Sequence, residues 1–259
     1  MILTCHESLV PGNSYLEKCN NLAEIGYSGI DLLGDTVIKH IKDLEQATIE
    51  TEIKPTAIYS RLGNHCLLDD TVDGRLQALN TLKQRMEVAS LVGAKAVIFV
   101  PIFGVARIRP EAEEFVLITL LDEIAQWAKG SKVSLILEPL NKKETNFVYQ
   151  PKEAARIVQA IDSPVVKTMV DTYHMEMENQ DPVEMIKSVD SNMGLVHFSD
   201  TNRLLPGKGK VNFNRIVDAL QMIGYNGPIG LECKGPVSVS ELENTASFLN
   251  GIWAKAANY

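Results

Sequence analysis

The sequence predicts an α/β fold in which a parallel sheet closes into a single (β/α)8 TIM-type barrel over 1–259. Three observations predict it. Eight short β-branched runs alternate with eight longer stretches of helical periodicity, no linker-like segment interrupts the alternation, and 259 residues is a usual length for one such barrel.

The first candidate strand, 2–5, leads to a helix near 13–25 that stops at Gly26. The second, 28–33 (SGIDLL), precedes a helix near 36–48, and the third, 54–59 (KPTAIY), precedes a long helix near 70–92 closed by Gly93. The fourth, 95–100 (KAVIFV), is followed by a helix near 111–129 that ends at Gly130. The fifth, 133–138 (VSLILE), and the sixth, 165–171 (VVKTMVD), carry helices near 151–160 and 182–190 behind them. The seventh, 194–198 (GLVHF), and the eighth, 228–233 (PIGLEC), carry helices near 213–223, closed by Gly224, and 238–256. A doubly wound open sheet is the alternative. It would open with a glycine-rich turn after its first strand, where this chain has His6-Glu7-Ser8.

Composition narrows the function. With 25 Lys+Arg against 33 Asp+Glu the net charge is −8, which disfavours a nucleic-acid partner. The four cysteines, Cys5, Cys19, Cys66 and Cys233, form no C-x-x-C pair, so the expectation is free thiols in a cytoplasmic protein. The N-terminus lacks a signal-peptide pattern, and no apolar stretch is long enough to span a bilayer. There is no P-loop, no dinucleotide fingerprint and no H-E-x-x-H.

In a parallel barrel the reactive groups gather where the strands end. The fifth strand ends in Glu138 and the sixth in Asp171; the seventh carries His197 and the eighth Glu232. Alternation puts Glu138 on a face with Ser134 and Ile136, Asp171 with Met169, His197 with Leu195 and Glu232 with Gly230, an interior-facing set. One strand-end acid alone can be a helix cap or face solvent. Three converging carboxylates without a cation would repel one another, whereas a divalent ion neutralises them and gives a neutral imidazole a role as ligand. Oxygen donors with one imidazole suit Mn²⁺ first, with Co²⁺, Mg²⁺ or Zn²⁺ as alternatives.

These residues also carry a resemblance. The runs Glu138-Pro139-Leu140-Asn141-Lys142-Lys143-Glu144, Asp171-Thr172-Tyr173-His174, His197 followed by Arg203 and Pro206-Gly207-Lys208-Gly209, and Gly230-Leu231-Glu232-Cys233 resemble the xylose isomerase-like TIM-barrel superfamily, nearest to ketose 3-epimerases of the tagatose/psicose type. The resemblance implies that Glu138, Asp171, His197 and Glu232 bind the metal, that Glu138 and Glu232 are also the acid/base pair, and that Glu144, His174 and Arg203 contact substrate oxygens. It implies proton transfer through a metal-stabilised cis-enediolate, with epimerisation at C3 if the two glutamates work on opposite faces and aldose–ketose isomerisation if the proton returns to the neighbouring carbon. The chain departs from the family at Lys142 and Lys143, where an Arg and an aromatic residue are common, so the grip on substrate can differ.

Further readings stay open. A polyol-ketone dehydratase would share the enolate chemistry, an endonuclease of the related kind lacks its extra ligands at Lys210-Val211-Asn212-Phe213, and a sugar-binding protein without catalysis is the reading from a different class. His6 and His65 follow strands one and three and read as structural or surface histidines. Cys66 and Cys233 read as packing thiols near the mouth, and the Pro206–Gly209 stretch reads as a turn closing over the site in preference to a phosphate nest. Arg107, Arg109, Lys142, Lys143, Arg203, Lys208 and Lys210 all fall in loops on one face, where they form either a basic rim for a phosphorylated or carboxylated sugar or ordinary solvated charge. The partner is thus a sugar or sugar phosphate, with assembly as a homo-oligomer left open.

Overall fold

Apolar strands flanked by capped amphipathic helices build the barrel in the computed structural model, which describes residues 1–256. The last residues of the expected domain, 257–259, lie outside the described residues. The first half runs β1 (Ile2–His6), α1 (Tyr15–Glu24), β2 (Gly29–Leu33), α2 (Gly34–Val37), α3 (Ile41–Thr51), β3 (Lys54–Ser60), α4 (Val72–Val92), β4 (Ala96–Phe99) and α5 (Pro110–Trp127). The second half runs β5 (Ser134–Leu137), α6 (Pro151–Ile161), β6 (Val166–Asp171), α7 (Thr172–Met177), α8 (Pro182–Val189), β7 (Met193–Phe198), α9 (Phe213–Met222), β8 (Pro228–Leu231) and α10 (Val239–Ala256). All eight strands are parallel and close in sequence order, with β8 paired back onto β1.

Local chemistry sets the helix ends. Ser14 caps α1 by accepting from the Glu17 N–H, Thr71 caps α4 by accepting from Gly74, and Asp181 caps α8 by accepting from Val183 and Glu184. Proline stands at the start of α5, α6 and α8, where its missing N–H costs nothing. Gly93 ends α4 at φ 83°, a left-handed conformation that a Cβ would penalise.

Two apolar regions result. The larger lies between strands and helices and takes Leu22, Leu44, Leu82, Leu121, Val158, Leu220 and Leu249 from successive helices. Burying each such side chain contributes about 1.5–3 kcal/mol. The smaller fills the barrel itself with Ala57, Ala96, Ile98, Ile136, Met169 and Leu195. Ile136, Met169 and Leu195 are the interior residues that alternation predicts on the faces of Glu138, Asp171 and His197. On the opposite side of the interior, Thr4 Oγ1 donates to Asp31 Oδ2 at 2.7 Å, and a Cβ on Gly230 would lie 2.7 Å from that same oxygen. No helix among the described residues is long and apolar enough to cross a membrane.

The structure adds two features to the predicted elements. The helix expected near 36–48 is broken into α2 and α3, and the six-residue α7 follows β6 directly. Asp171 ends β6 and caps α7, its Oδ1 accepting from the Tyr173 N–H at 2.7 Å. A register shift between Thr168 and Met169 re-aims the end of β6, so that Asp171 pairs with His197, and on the other side of β7 His197 pairs with Gly230.

Candidate active site

Strand ends bring four side chains to one point at the C-terminal mouth. Glu138 follows β5 directly, its N–H donating to Phe99 O, and Glu232 follows β8, its N–H donating to Phe198 O. Asp171 and His197 come from β6 and β7. One donor atom from each of Glu138, Asp171, His197 and Glu232 lies within 4.8 Å of every other. Nδ1 of His197 is the centre of the group, 3.5 Å from Glu138 Oε1, 3.5 Å from Glu232 Oε2 and 3.8 Å from Asp171 Oδ2.

These separations are too long for hydrogen bonds and suit donors that share one ion. Glu138 Oε1 and His197 Nδ1 are buried with no hydrogen-bond partner among the described residues, an arrangement that is costly unless a cation completes it. The donor set therefore fits a divalent ion.

Electrostatics separates the two glutamates. Burial, with the Glu232 charge nearby, raises the Glu138 carboxyl above the ordinary range. Burial acts in the same sense on Glu232, but Arg203 and then His197 override it and hold that carboxyl well below its usual value. Burial opposes a charged His197, yet the neighbouring Glu138 and Glu232 carboxylates raise its imidazole well above the ordinary value.

The three residues expected to contact substrate stand around this group. Arg203 Nη1 donates to Asp171 Oδ2 at 2.7 Å and to Glu232 Oε2 at 2.8 Å, while Nη2 donates to His174 Nε2 at 2.9 Å. Its guanidinium also lies 4.3 Å above the ring of Tyr173. Arg203 thus grips two members of the acidic group directly, and both Asn202 and Arg203 adopt φ 58° to bring it there. His174, buried on α7, has Nδ1 2.9 Å from Asn141 Nδ2, and Asn141 Nδ2 donates to Glu144 Oε1 at 2.7 Å. The cavity above, about 310 Å³, is lined by Glu138, Glu144, His174, Arg203 and Glu232, together with His6 and Tyr59.

Tyr59 and Asn141 contribute to this arrangement beyond the residues predicted. Tyr59 Oη lies 3.0 Å from Nε2 of His197 with the two rings stacked, and His6 is edge-on to Tyr59 at 4.6 Å. The available signal was position: Tyr59 falls at a strand end and Asn141 lies inside the Glu138–Glu144 run.

Several other expectations meet the structure here. Lys142 turns outward, 3.5 Å from Glu178 Oε2 and 4.6 Å above the ring of Tyr149, away from the carboxylate group. Of the basic loop residues, Arg107, Lys142, Arg203 and Lys208 are each held by a carboxylate, Asp69, Glu178, Asp171 with Glu232, and Glu241 respectively. The Pro206–Gly209 turn is built around Asp200, whose carboxylate accepts from the N–H groups of Gly207, Gly209 and Val211. Those donors are satisfied by the protein's own side chain.

Comparison with known proteins supplies the lineage. The family model described as xylose isomerase-like TIM barrel matches residues 19–252. The chain belongs to the xylose isomerase-like TIM barrel family. Among its relatives, 3-dehydro-D-guloside 4-epimerase of Escherichia coli is 24% identical over 88% of this chain and 90% of that protein. D-psicose 3-epimerase of Ruminiclostridium cellulolyticum is 34% identical over 42% of this chain, an alignment spanning 38% of the relative's length. In solved structures the same fold appears in 3-keto-D-glucoside 4-epimerase from E. coli, with TM-score 0.86 and 21% identity over 97% of this chain and 99% of that one. D-psicose 3-epimerase from Clostridium cellulolyticum H10, solved with D-tagatose, also gives TM-score 0.86, at 19% identity over 98% of this chain and 99% of that one. The relatives are named sugar epimerases, in line with the sugar isomerase or epimerase expected from the motifs.

Proposed function

We propose that this family member is a divalent-metal-dependent epimerase of a keto sugar, exchanging a proton at the carbon next to the carbonyl, with C3 of a ketose as the first assignment. The observation that carries this reading is the convergence of four donor atoms within 4.8 Å, two of them buried without hydrogen-bond partners among the described residues.

Glu138, Asp171, His197 and Glu232 would hold the ion, for which Mn²⁺ is the first choice on donor chemistry. When bound, the ion supplies Lewis-acid polarisation of the substrate carbonyl. The side chains supply the proton transfer. Glu138 and Glu232 come from β5 and β8, separated around the barrel, a spacing that supports one acting on each face of a substrate in the mouth. One of the two would take the proton from carbon and the other return it, with Arg203 donating to Glu232 Oε2 to steady that carboxylate. Arg203, His174 and Glu144 would hold the oxygens on the reacting carbons, and burial of Glu138 and His174 limits access of water to the proton being moved.

A second reading comes from a relative that aligns along most of this chain, named a 4-epimerase of a 3-dehydro sugar. Epimerisation there would need the same carbon-acid chemistry, next to a carbonyl one carbon further along. Incubation of the Mn²⁺-loaded protein with candidate sugars in D₂O, followed by NMR, tests both. Deuterium at C3 of a 2-ketose supports the first assignment and deuterium at C4 of a 3-keto sugar the second. Label confined to C1 or C2 moves the assignment to aldose–ketose isomerisation, and no incorporation overturns the epimerase reading.

A further inference from the structure

A second cavity of about 460 Å³ adjoins the first, and Ser60, Val100 and Phe103 line both. Ser60, the last residue of β3, is only 8% exposed, and its Oγ has no hydrogen-bond partner among the described residues. Ser60 thus stands at the passage from one cavity to the other. We propose that the cavity beyond Ser60 is a subsite for a second, uncharged sugar ring, so that the substrate is a keto sugar in glycosidic linkage. The proposal rests on the sugar-epimerase reading above.

The lining fits that chemistry. Asn64 and His65 offer polar groups, while Leu62, Ile102 and Phe103 offer apolar faces, the mixture that suits the hydroxyls and C–H face of a pyranose. Phe103 is 65% exposed, and the loop carrying it is fixed: Gly104 N–H donates to Glu144 O at 2.7 Å and Asn146 N–H donates to Gly104 O at 2.9 Å. An exposed aromatic ring on a pinned loop is a platform held ready, next to the same Glu144 that faces the reacting carbons. The charged side chain of this lining, Arg107, is engaged by Asp69 Oδ2 at 3.0 Å, and that pairing weakens the attraction for a phosphate. The reacting carbons stay among the carboxylates, so the far end of the ketose points toward Ser60 and carries the linkage.

Calorimetric titration of the Mn²⁺-loaded protein with three probes tests this: D-fructose, fructose 6-phosphate, and a glucosyl-fructose linked through O4 or O6 of the fructose. The glucosyl-fructose is expected to bind about tenfold tighter than D-fructose, and the phosphate ester no tighter than D-fructose. Ser60→Ala and Phe103→Ala should each remove most of that preference, and Asn64→Ala, on an exposed loop, provides a third variant should either of these fail to fold. Equal affinity for the disaccharide and D-fructose, tighter binding of the phosphate ester, or a preference that survives all the substitutions would overturn the subsite. Proton exchange in D₂O on the same samples separates the two readings, since a disaccharide preference without exchange supports the subsite and overturns the epimerase.

Discussion

Tyr59 Oη sits 3.0 Å from Nε2 of His197, with the two rings stacked 16° from parallel at 5.4 Å. The contact ties down one imidazole nitrogen and leaves Nδ1 facing Glu138, Asp171 and Glu232. Burial and the surrounding carboxylates keep the Tyr59 phenol protonated, so it remains a neutral hydrogen-bonding partner. Tyr59→Phe should weaken metal binding about 10- to 100-fold, as loss of a partner behind a metal-binding histidine does. Isothermal titration with Mn²⁺ measures it, and unchanged affinity would remove Tyr59 from that role.

Arg203 touches two of the four clustered residues as well as His174, so its planar fork matters as much as its charge. Arg203→Lys should lower turnover about 100-fold, because an ammonium group cannot hold Asp171, Glu232 and His174 together. Steady-state kinetics with the substrate identified by labelling checks this, and wild-type turnover in the variant would refute it.

Glu144 lies at the cavity wall, tied to Asn141 and away from the four-residue group. Glu144→Ala should reduce kcat/KM about 10- to 100-fold, the cost of one charged hydrogen bond to substrate, while metal content stays at the wild-type level. Loss of metal together with activity would place Glu144 among the metal-holding residues instead.

Asp31 offers a test of the barrel interior. Burial pushes its carboxyl up to about 6, despite the hydrogen bond from Thr4. The folded value exceeds the unfolded value of about 3.9, so the stabilising contribution is present below about pH 4 and is lost as pH rises through about 6. Asp31→Asn stays neutral throughout. Its stability relative to wild type should improve by up to about 3 kcal/mol between about pH 4 and pH 8 in excess chelator. Denaturant unfolding at the two pH values measures the difference, and a constant gap would contradict the buried-acid account.

Much of the barrel is legible in the sequence because period-two strands and period-3.6 helices alternate without interruption, and observed strand limits differ from the expected ones by one or two residues. The interior placement of Glu138, Asp171 and His197 follows from alternation with Ile136, Met169 and Leu195, which do fill the barrel. Other features have weaker local signals. Helix α7 spans only six residues, too few for a helical period to show, and it begins on Asp171, which also ends a strand. Tyr59 reads in sequence as an ordinary strand former, and its importance depends on β3 and β7 facing each other across the interior. The reach of Arg203 depends on two successive left-handed residues, neither of them glycine, which composition does not announce. The basic loop residues look like one rim in sequence, yet the carboxylates that hold four of them come from other loops and helices.

Whether Glu138, Asp171, His197 and Glu232 hold one divalent ion is measured by pulsed electron paramagnetic resonance of the protein titrated with Mn²⁺ after exhaustive chelation, read for bound ion and coupled nitrogen. One ion per chain is expected, coupled to a single imidazole nitrogen, with that coupling absent in His197→Ala and activity that disappears on chelation and returns with Mn²⁺. Absence of saturable Mn²⁺ binding, or an identical nitrogen coupling in His197→Ala, would contradict it.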